Sequence, residues 1–394
     1  MEKQLILVTV SGPDKPGITA KLTQKISANA HFIEDMGQSV THGLLSLSIL
    51  IRMNTSNGSH LLKDLLFEAK KLGLALDFEA IEDESLQLKS EQNNRFIISC
   101  VHFEKIPSHF IASVAHELSS HNINIIRIDN KSTPDFKALD IVASAPNESS
   151  WAALKLKLIH IGKINQTDLA IIKDDVFRYN KRLIVFDMDS TLIQSEVIEE
   201  IADYCGVKDE VSKITSLAMN GKINFDESLK QRVALLEGLP QEKLAEIAKN
   251  IQLNSGVEKF IKVVKQLGFK TAVISGGFSY FTQIIKVQLG LDYAFANDLE
   301  IQNGKLTGRV TGTIINAEQK ATLVRLISQQ ESIDLKQVVA IGDGANDIPM
   351  LSIAGMGIAF HAKEIVKEKT QHQMSYGPMT SILSFLGIPE NFGE

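Results

Sequence analysis

The run Leu183-Ile184-Val185-Phe186 offers four consecutive apolar side chains and nothing to face water. A strand here must be covered on both faces, as in a parallel sheet flanked by helices. It leads directly into Asp187-Met188-Asp189-Ser190-Thr191. Two carboxylates thus stand at the carboxyl end of a buried strand, where open α/β sheets keep their ligand crevices. Their spacing suits a division of labour in which one attacks and the other moves protons. Thr271–Ile274 and Val338–Ile341 read as further strands of the same Rossmann-like sheet. Between the first two strands lies a helix-rich stretch, about 196–255, that reads as a helical cap. Asn224 followed by Glu227, and Pro240, are helix-start signals within it. Asn303-Gly304 marks a hairpin between Leu299–Ile301 and Lys305–Val310.

Upstream, the chain repeats itself. Leu5–Val10 reads as a strand, followed by Gly12-Pro13-Asp14-Lys15-Pro16-Gly17 and an amphipathic helix carrying Ile18, Leu22 and Ile26. The pattern recurs with Phe96–Val101, Pro107, and the stripe Phe110, Val114 and Leu118. Strand candidates Phe32–Val40 and Leu44–Met53 are answered by Asn122–Ile128 and Ala138–Ala145, and each copy closes on a helix and a last strand, near Phe78–Ile81 and Asp168–Ile172. The order is βαββαβ twice, a pair of ferredoxin-like α+β modules. Polar stretches at Glu82–Asn94 and Lys173–Arg182 divide the 394 residues into 1–85, 90–174 and 180–394.

A net charge of −6 leaves no basic footprint for nucleic acid or an anionic membrane surface. No apolar run approaches the roughly 20 residues that span a bilayer. Cys100 and Cys205 are the only cysteines, which excludes a disulfide framework and fits a reducing, cytoplasmic setting. The N-terminus alternates too much to read as a signal peptide.

Phosphoryl transfer needs a nucleophile, a proton carrier, donors for the phosphate and a metal. Asp187 is the candidate nucleophile, forming an aspartyl-phosphate, and Asp189 the candidate general acid and base. Ser275-Gly276-Gly277, after the second strand, offers a hydroxyl and bare backbone N–H groups to a phosphate. Lys320 precedes an apolar helical stripe and is expected near a helix start. Gly342-Asp343-Gly344-Ala345-Asn346-Asp347 follows the third strand, and its carboxylates together with Asp187 suit one Mg²⁺. His102, His109, His116 and His121 do not share a helix face with carboxylate or cysteine partners, and are read as solvated or core histidines.

Those residues resemble the haloacid dehalogenase-like phosphotransferases across about Arg182–Leu386, and within them most closely the phosphoserine phosphatase family. Ile274-Ser275-Gly276-Gly277-Phe278 and Asp292-Tyr293-Ala294-Phe295-Ala296-Asn297 carry the closer likeness. The resemblance implies Mg²⁺ held by the Asp187 side chain, the Asp189 carbonyl and Asp343, with Asp347 behind them. It implies phosphate held by Ser275, Gly276, Lys320 and Asn346. It assigns Glu196 to the substrate ammonium and Arg232 to its carboxylate, with Met219 and Phe225 on a closing cap. The reaction implied is hydrolysis of O-phospho-L-serine to L-serine and phosphate, the last step of serine biosynthesis. A phosphatase or phosphotransferase for another small phosphorylated metabolite, and a catalytically silent amino-acid sensor, are the alternatives. The first module resembles an ACT domain. The second resembles a degenerate one, with Phe103 and Ser108 in place of the two glycines. That likeness implies a homodimer paired through these modules and L-serine as an effector near Gly12, Asp14 and Gly17.

Overall fold

The computed structural model describes residues 3–54, 58–81, 95–145, 149–219, 222–389 and 392. The expected joint Glu82–Asn94 and the side chain of Met219 lie outside the described residues. The chain forms two compact units, Met1–Asn93 and Asn94–Glu394.

The first unit holds β1 (Lys3–Pro13), a helix over Ile18–Ala28, β2 (Phe32–Thr41), β3 (Leu44–Asn54), a helix over Gly58–Leu72 and β4 (Ala75–Ile81). Its antiparallel sheet runs β2-β3-β1-β4. Alternation fixes the register: Val8, Val10, Leu47, Ile49 and Ile51 turn to one face and bury against Ile18, Leu22, Ile26, Leu61 and Leu65 of the two helices. Gly17 caps the first helix at φ 92, a left-handed conformation that favours glycine. Gly12 lies inside β1, and a Cβ there would come within 2.8 Å of Leu74 Cδ2. Its bareness therefore accommodates the chain's own packing. The Asp14 N–H donates to the Gly43 carbonyl at 2.8 Å.

The second unit opens with the same order: β5 (Arg95–His102), a helix over Ser108–Ser120, β6 (Asn124–Asn130), β7 (Ala138–Ser144), a helix over Ser149–Ile164 and β8 (Thr167–Lys173). A mainly parallel sheet follows with β9 (Leu183–Phe186), β10 (Lys270–Phe278), β11 (Tyr293–Gln302), β12 (Lys305–Thr311, antiparallel to β11), β13 (Val338–Gly342), β14 (Met356–Phe360) and β15 (His372–Met374). The two sets join into one 11-stranded sheet, β12-β11-β10-β9-β13-β14-β15-β8-β5-β7-β6. The splice is narrow, with His372 of β15 facing Ala170 of β8. It is reinforced by the buried Asp168 carboxylate, which accepts the N–H groups of Ser375, Tyr376 and Gly377 at 2.5, 3.0 and 3.0 Å. Val101, Ala138, Ala170 and Ile172 belong to the same core as Ile184, Phe186 and Phe385.

The four residues of β9 are fully buried and pair in parallel with β10 and β13. The cap consists of helices over Val197–Cys205, Lys208–Met219, Phe225–Ala234 and Gln241–Asn250. The Asn224 side chain accepts from the Glu227 N–H at 2.8 Å, and Pro240 stands at the N-cap of the last cap helix. Asn303 and Gly304, at φ 52 and 75, form the turn between β11 and β12. One expectation shifts. Ser275-Gly276-Gly277 is expected to follow a strand that ends at Ile274, but β10 continues through Phe278 with its pairing to β11 displaced between Ile274 and Phe278. The bare glycines let the strand run on while the ladder is interrupted, and Gly276 and Gly277 both line the crevice. No helix among the described residues is long and apolar enough to cross a membrane.

Candidate active site

The site lies where the carboxyl ends of β9, β10 and β13 meet the cap. A cavity of about 510 Å³ is lined there by Asp187, Asp189, Glu196, Phe225, Arg232, Gly276, Gly277, Asp343 and Asn346. Ser275 and Lys320 are fully buried and stand behind this wall.

Asp187 follows β9 and is 5% exposed. Its Oδ1 accepts the Met188 N–H at 2.7 Å and lies 2.8 Å from Lys320 Nζ, which fixes the plane of the carboxylate. Lys320 sits in the first turn of the helix Ala317–Gln330, as expected from its stripe, and its Nζ also donates to Asp347 Oδ1 at 2.7 Å. Burial opposes the lysine's charge, but the Asp187 and Asp347 carboxylates outweigh it and hold Lys320 above the ordinary lysine value. Burial, followed by the Asp347 carboxylate, raises Asp187 well above the usual carboxylate range.

Asp189 is held on both oxygens. Oδ1 accepts the N–H of Val197 at 2.8 Å, and Oδ2 accepts the Ser275 hydroxyl at 3.0 Å. Ser275 Oγ in turn accepts the Gly277 N–H at 2.8 Å. The hydroxyl read from sequence as a phosphate donor is thus spent on Asp189 here. Burial and then the neighbouring Glu196 push Asp189 up to about 7, against the lowering effect of its hydrogen bonds. A group near that value can both give and take a proton at neutral pH.

Asp343, after β13, accepts the Thr191 hydroxyl at 3.2 Å. Burial, Asp347 and Glu196 push it up to about 7. Asp347 is fully buried, and its Oδ2 accepts the Gly344 N–H at 2.9 Å. Carboxylate oxygens of Asp187, Asp343 and Asp347 all lie within 4.8 Å of one another. Gly342 is required beside them, since a Cβ there would sit 2.6 Å from the Asp347 carboxyl.

Glu196 caps the first cap helix and its Oε1 accepts the Ser190 hydroxyl at 3.1 Å. Arg232 reaches the cavity from the helix Phe225–Ala234, with Nε donating to the Ser228 carbonyl at 3.3 Å. Among the described residues no carboxylate pairs with its guanidinium. Phe225 closes over the strand end: a Cβ at Gly276 would come 3.0 Å from its ring.

The haloacid dehalogenase-like hydrolase profile matches residues 184–352, and the ACT domain profile matches residues 4–79. Phosphoserine phosphatase SerB2 of Mycobacterium tuberculosis is 33% identical over 388 residues, 98% of this chain and 94% of that protein. The chain belongs to the phosphoserine phosphatase family. The phosphoserine phosphatase of Archaeoglobus fulgidus is 50% identical over 225 residues, 57% of this chain and 65% of that protein. A solved phospho-aspartyl intermediate analogue of phosphoserine phosphatase aligns with a TM-score of 0.50 and 48% identity, covering 52% of this chain and 99% of that one.

In this phosphoserine phosphatase family member three supporting residues escaped the sequence reading. Asn254 Nδ2 lies 2.9–3.1 Å from the carbonyls of Ser190, Thr191 and Ile193, tying down the loop after Asp189. Asn297 is 2% exposed; its Nδ2 donates to the Gly276 carbonyl at 2.8 Å while its Oδ1 accepts the Ile315 N–H at 2.7 Å. Lys363 lines the cavity mouth. A single amide in a loop, as Asn254, or within a strand, as Asn297, carries no periodic signal. Only the family likeness of the 292–297 stretch pointed toward one of them.

Proposed function

We propose that this chain hydrolyses O-phospho-L-serine to L-serine and phosphate, with Mg²⁺, through a phosphorylated Asp187. The observation that carries this reading is a buried carboxylate, Asp187, fixed to Lys320 at 2.8 Å beside a second carboxyl, Asp189, raised to about 7. Asp187 attacks phosphorus as the bond to the serine oxygen breaks, and Asp189 gives its proton to that oxygen. Asp189 then takes a proton from water, whose oxygen attacks the aspartyl-phosphate, releases phosphate and restores Asp187. Lys320 and the Gly276 N–H offset charge on the phosphoryl oxygens.

The carboxylates fit a divalent cation. Two of the three, Asp187 and Asp343, are raised by burial and then by repulsion from Asp347, which a cation relieves, and hard oxygen donors suit Mg²⁺. Asp347 is satisfied by Lys320 and the Gly344 N–H, which supports a place behind the metal. Asp187, Asp343 and the Asp189 carbonyl are the proposed ligands, and Ser275, Gly276, Lys320 and Asn346 the proposed phosphate site. Bound Mg²⁺ supplies neutralisation of the phosphate dianion against the anionic nucleophile.

For the rest of the substrate, Glu196 is assigned to the ammonium and Arg232 to the carboxylate, under a cap carrying Met219 and Phe225. The proposed role is the last step of serine biosynthesis. The chain is proposed to act as a cytoplasmic homodimer paired through its ACT-like modules, with the three segments 1–85, 90–174 and 180–394 dividing regulation from catalysis. L-serine is proposed to bind near Gly12, Asp14 and Gly17. Phosphate release from O-phospho-L-serine with Mg²⁺, abolished by EDTA and weak across a panel of other phosphomonoesters, tests the activity. Calorimetric titration of the full chain with L-serine tests the effector site, with Gly17→Val as the control that should lose the heat of that site and keep any from product binding in the cavity.

A further inference from the structure

The cavity wall is acidic. Asp187, Asp189, Glu196, Glu199 and Asp343 line it, against Arg232 and Lys363 as the only cations among the described lining residues. Lys320 is already engaged by two carboxylates. Arg232 belongs to the cap. A dianion entering on the sheet side therefore meets one cation, Lys363, beside Asp343. Lys363 is exposed, and so reaches solvent as well as the cavity.

Its position is built rather than incidental. The Lys363 N–H reaches the Asp343 carbonyl at 3.4 Å. Two residues earlier, His361 adopts φ 46; its backbone N–H donates to the Met374 carbonyl at 2.7 Å, and its Nε2 lies 2.9 Å from the Gly377 carbonyl. Gly377 is itself one of the three N–H donors clamped on Asp168. The loop carrying Lys363 is thus fastened at both ends.

We propose that Lys363 is a docking cation for phosphate, drawing the substrate's phosphate to the mouth beside Asp343 and holding inorganic phosphate on its way out. This rests on the phosphatase reading above. The charge acts on the phosphate and not on the serine product, which carries no net charge. Steering by one cation at a focused cleft changes capture by roughly tenfold and fades with salt.

The test is calorimetric titration of the Mg²⁺-loaded full chain with inorganic phosphate, then with L-serine, for wild type, Lys363→Met and Lys363→Arg. The methionine variant should weaken phosphate binding about tenfold, leave serine unchanged and flatten the salt dependence of phosphate binding. The arginine variant should keep most of the affinity. Unchanged phosphate binding in Lys363→Met, or equal weakening toward phosphate and serine, would overturn the assignment. Because the readout is phosphate binding, a wild-type protein inert toward O-phospho-L-serine would defeat the substrate reading while leaving this test intact.

Discussion

Replacing Arg232 by alanine tests its proposed role at the substrate's carboxylate. The guanidinium lines the cavity and is partly buried, and burial lowers its pKa while Glu196, Glu199 and Asp189 hold it charged. Its Nε bond to Ser228 is long at 3.3 Å, so little of its donor capacity is spent within its own helix. Truncating one partner of a desolvated charge pair costs about 2–5 kcal/mol. With Arg232 partly open to the cavity mouth, the lower part of that range applies. About 2–3 kcal/mol is roughly a 30- to 150-fold loss in kcat/KM. The comparison substrate is O-phosphoethanolamine, which keeps the phosphate and the ammonium and lacks only the carboxylate. Phosphate release should fall 30- to 150-fold on phosphoserine and by less than about threefold on phosphoethanolamine. Arg232→Lys should recover part of the loss, because an ammonium cannot form the paired fork. Equal losses on both substrates would remove Arg232 from the carboxylate and assign it to the cap's own structure.

Other substitutions probe the catalytic groups and the splice. Asp187→Asn should abolish turnover, a loss of roughly 10⁴-fold or more, while thermal melting shows a fold no less stable, since the amide removes buried repulsion. Gly277→Ala places a Cβ 2.7 Å from Asp189 Oδ2 and 3.0 Å from Ser275 Oγ, so kcat should drop about 100-fold with the fold retained; near-normal kcat would show that the Asp189 position is not critical. His372 is buried at the splice, and burial, followed by Lys155 and Lys181, depresses it to about 3. Below its ordinary value of about 6.5 the unfolded chain takes up a proton that the folded chain refuses. Stability therefore falls as pH drops from about 6.5 toward 3, by about 1.4 kcal/mol per unit from this group. Denaturant titrations of His372→Gln should show a slope shallower by that amount between about pH 6 and 4. Parallel curves for the variant and wild type would refute it.

The sequence made legible what depends on local pattern. The run of four apolar residues announced a strand buried on both faces, and Asp187 and Asp189 fall at its end because the strand stops where the crevice begins. Asn224 caps the third cap helix and the hairpin turns at Asn303-Gly304, since both rest on short-range hydrogen bonding and backbone preference. Lys320 was placed near a helix start by its stripe alone. What stayed hidden depends on distant partners. That the Ser275 hydroxyl points at Asp189, 86 residues away in sequence, follows from the displaced ladder between β10 and β11. Asn297, within β11, and Lys363, on the loop after β14, gain their places only from the assembled sheet. The meeting of β8 with β15 rests on one residue pair and a carboxylate receiving three backbone N–H groups, and neither leaves a mark in hydrophobic periodicity.

That junction has a consequence for how the enzyme can be cut. One solved relative matches only 52% of this chain while being covered over 99% of its own length, so a catalytic half can exist unaccompanied. Here its sheet runs on into the second module. A protease nick or gene truncation between Lys173 and Arg182 would strand β15 as a raw border with unpaired backbone groups. It would also uncover the apolar side chains that now rest on Ala170 and Ile172. The amputated enzyme is expected to clump before it fails to catalyse, and heating should melt the second module and the phosphatase as a single body.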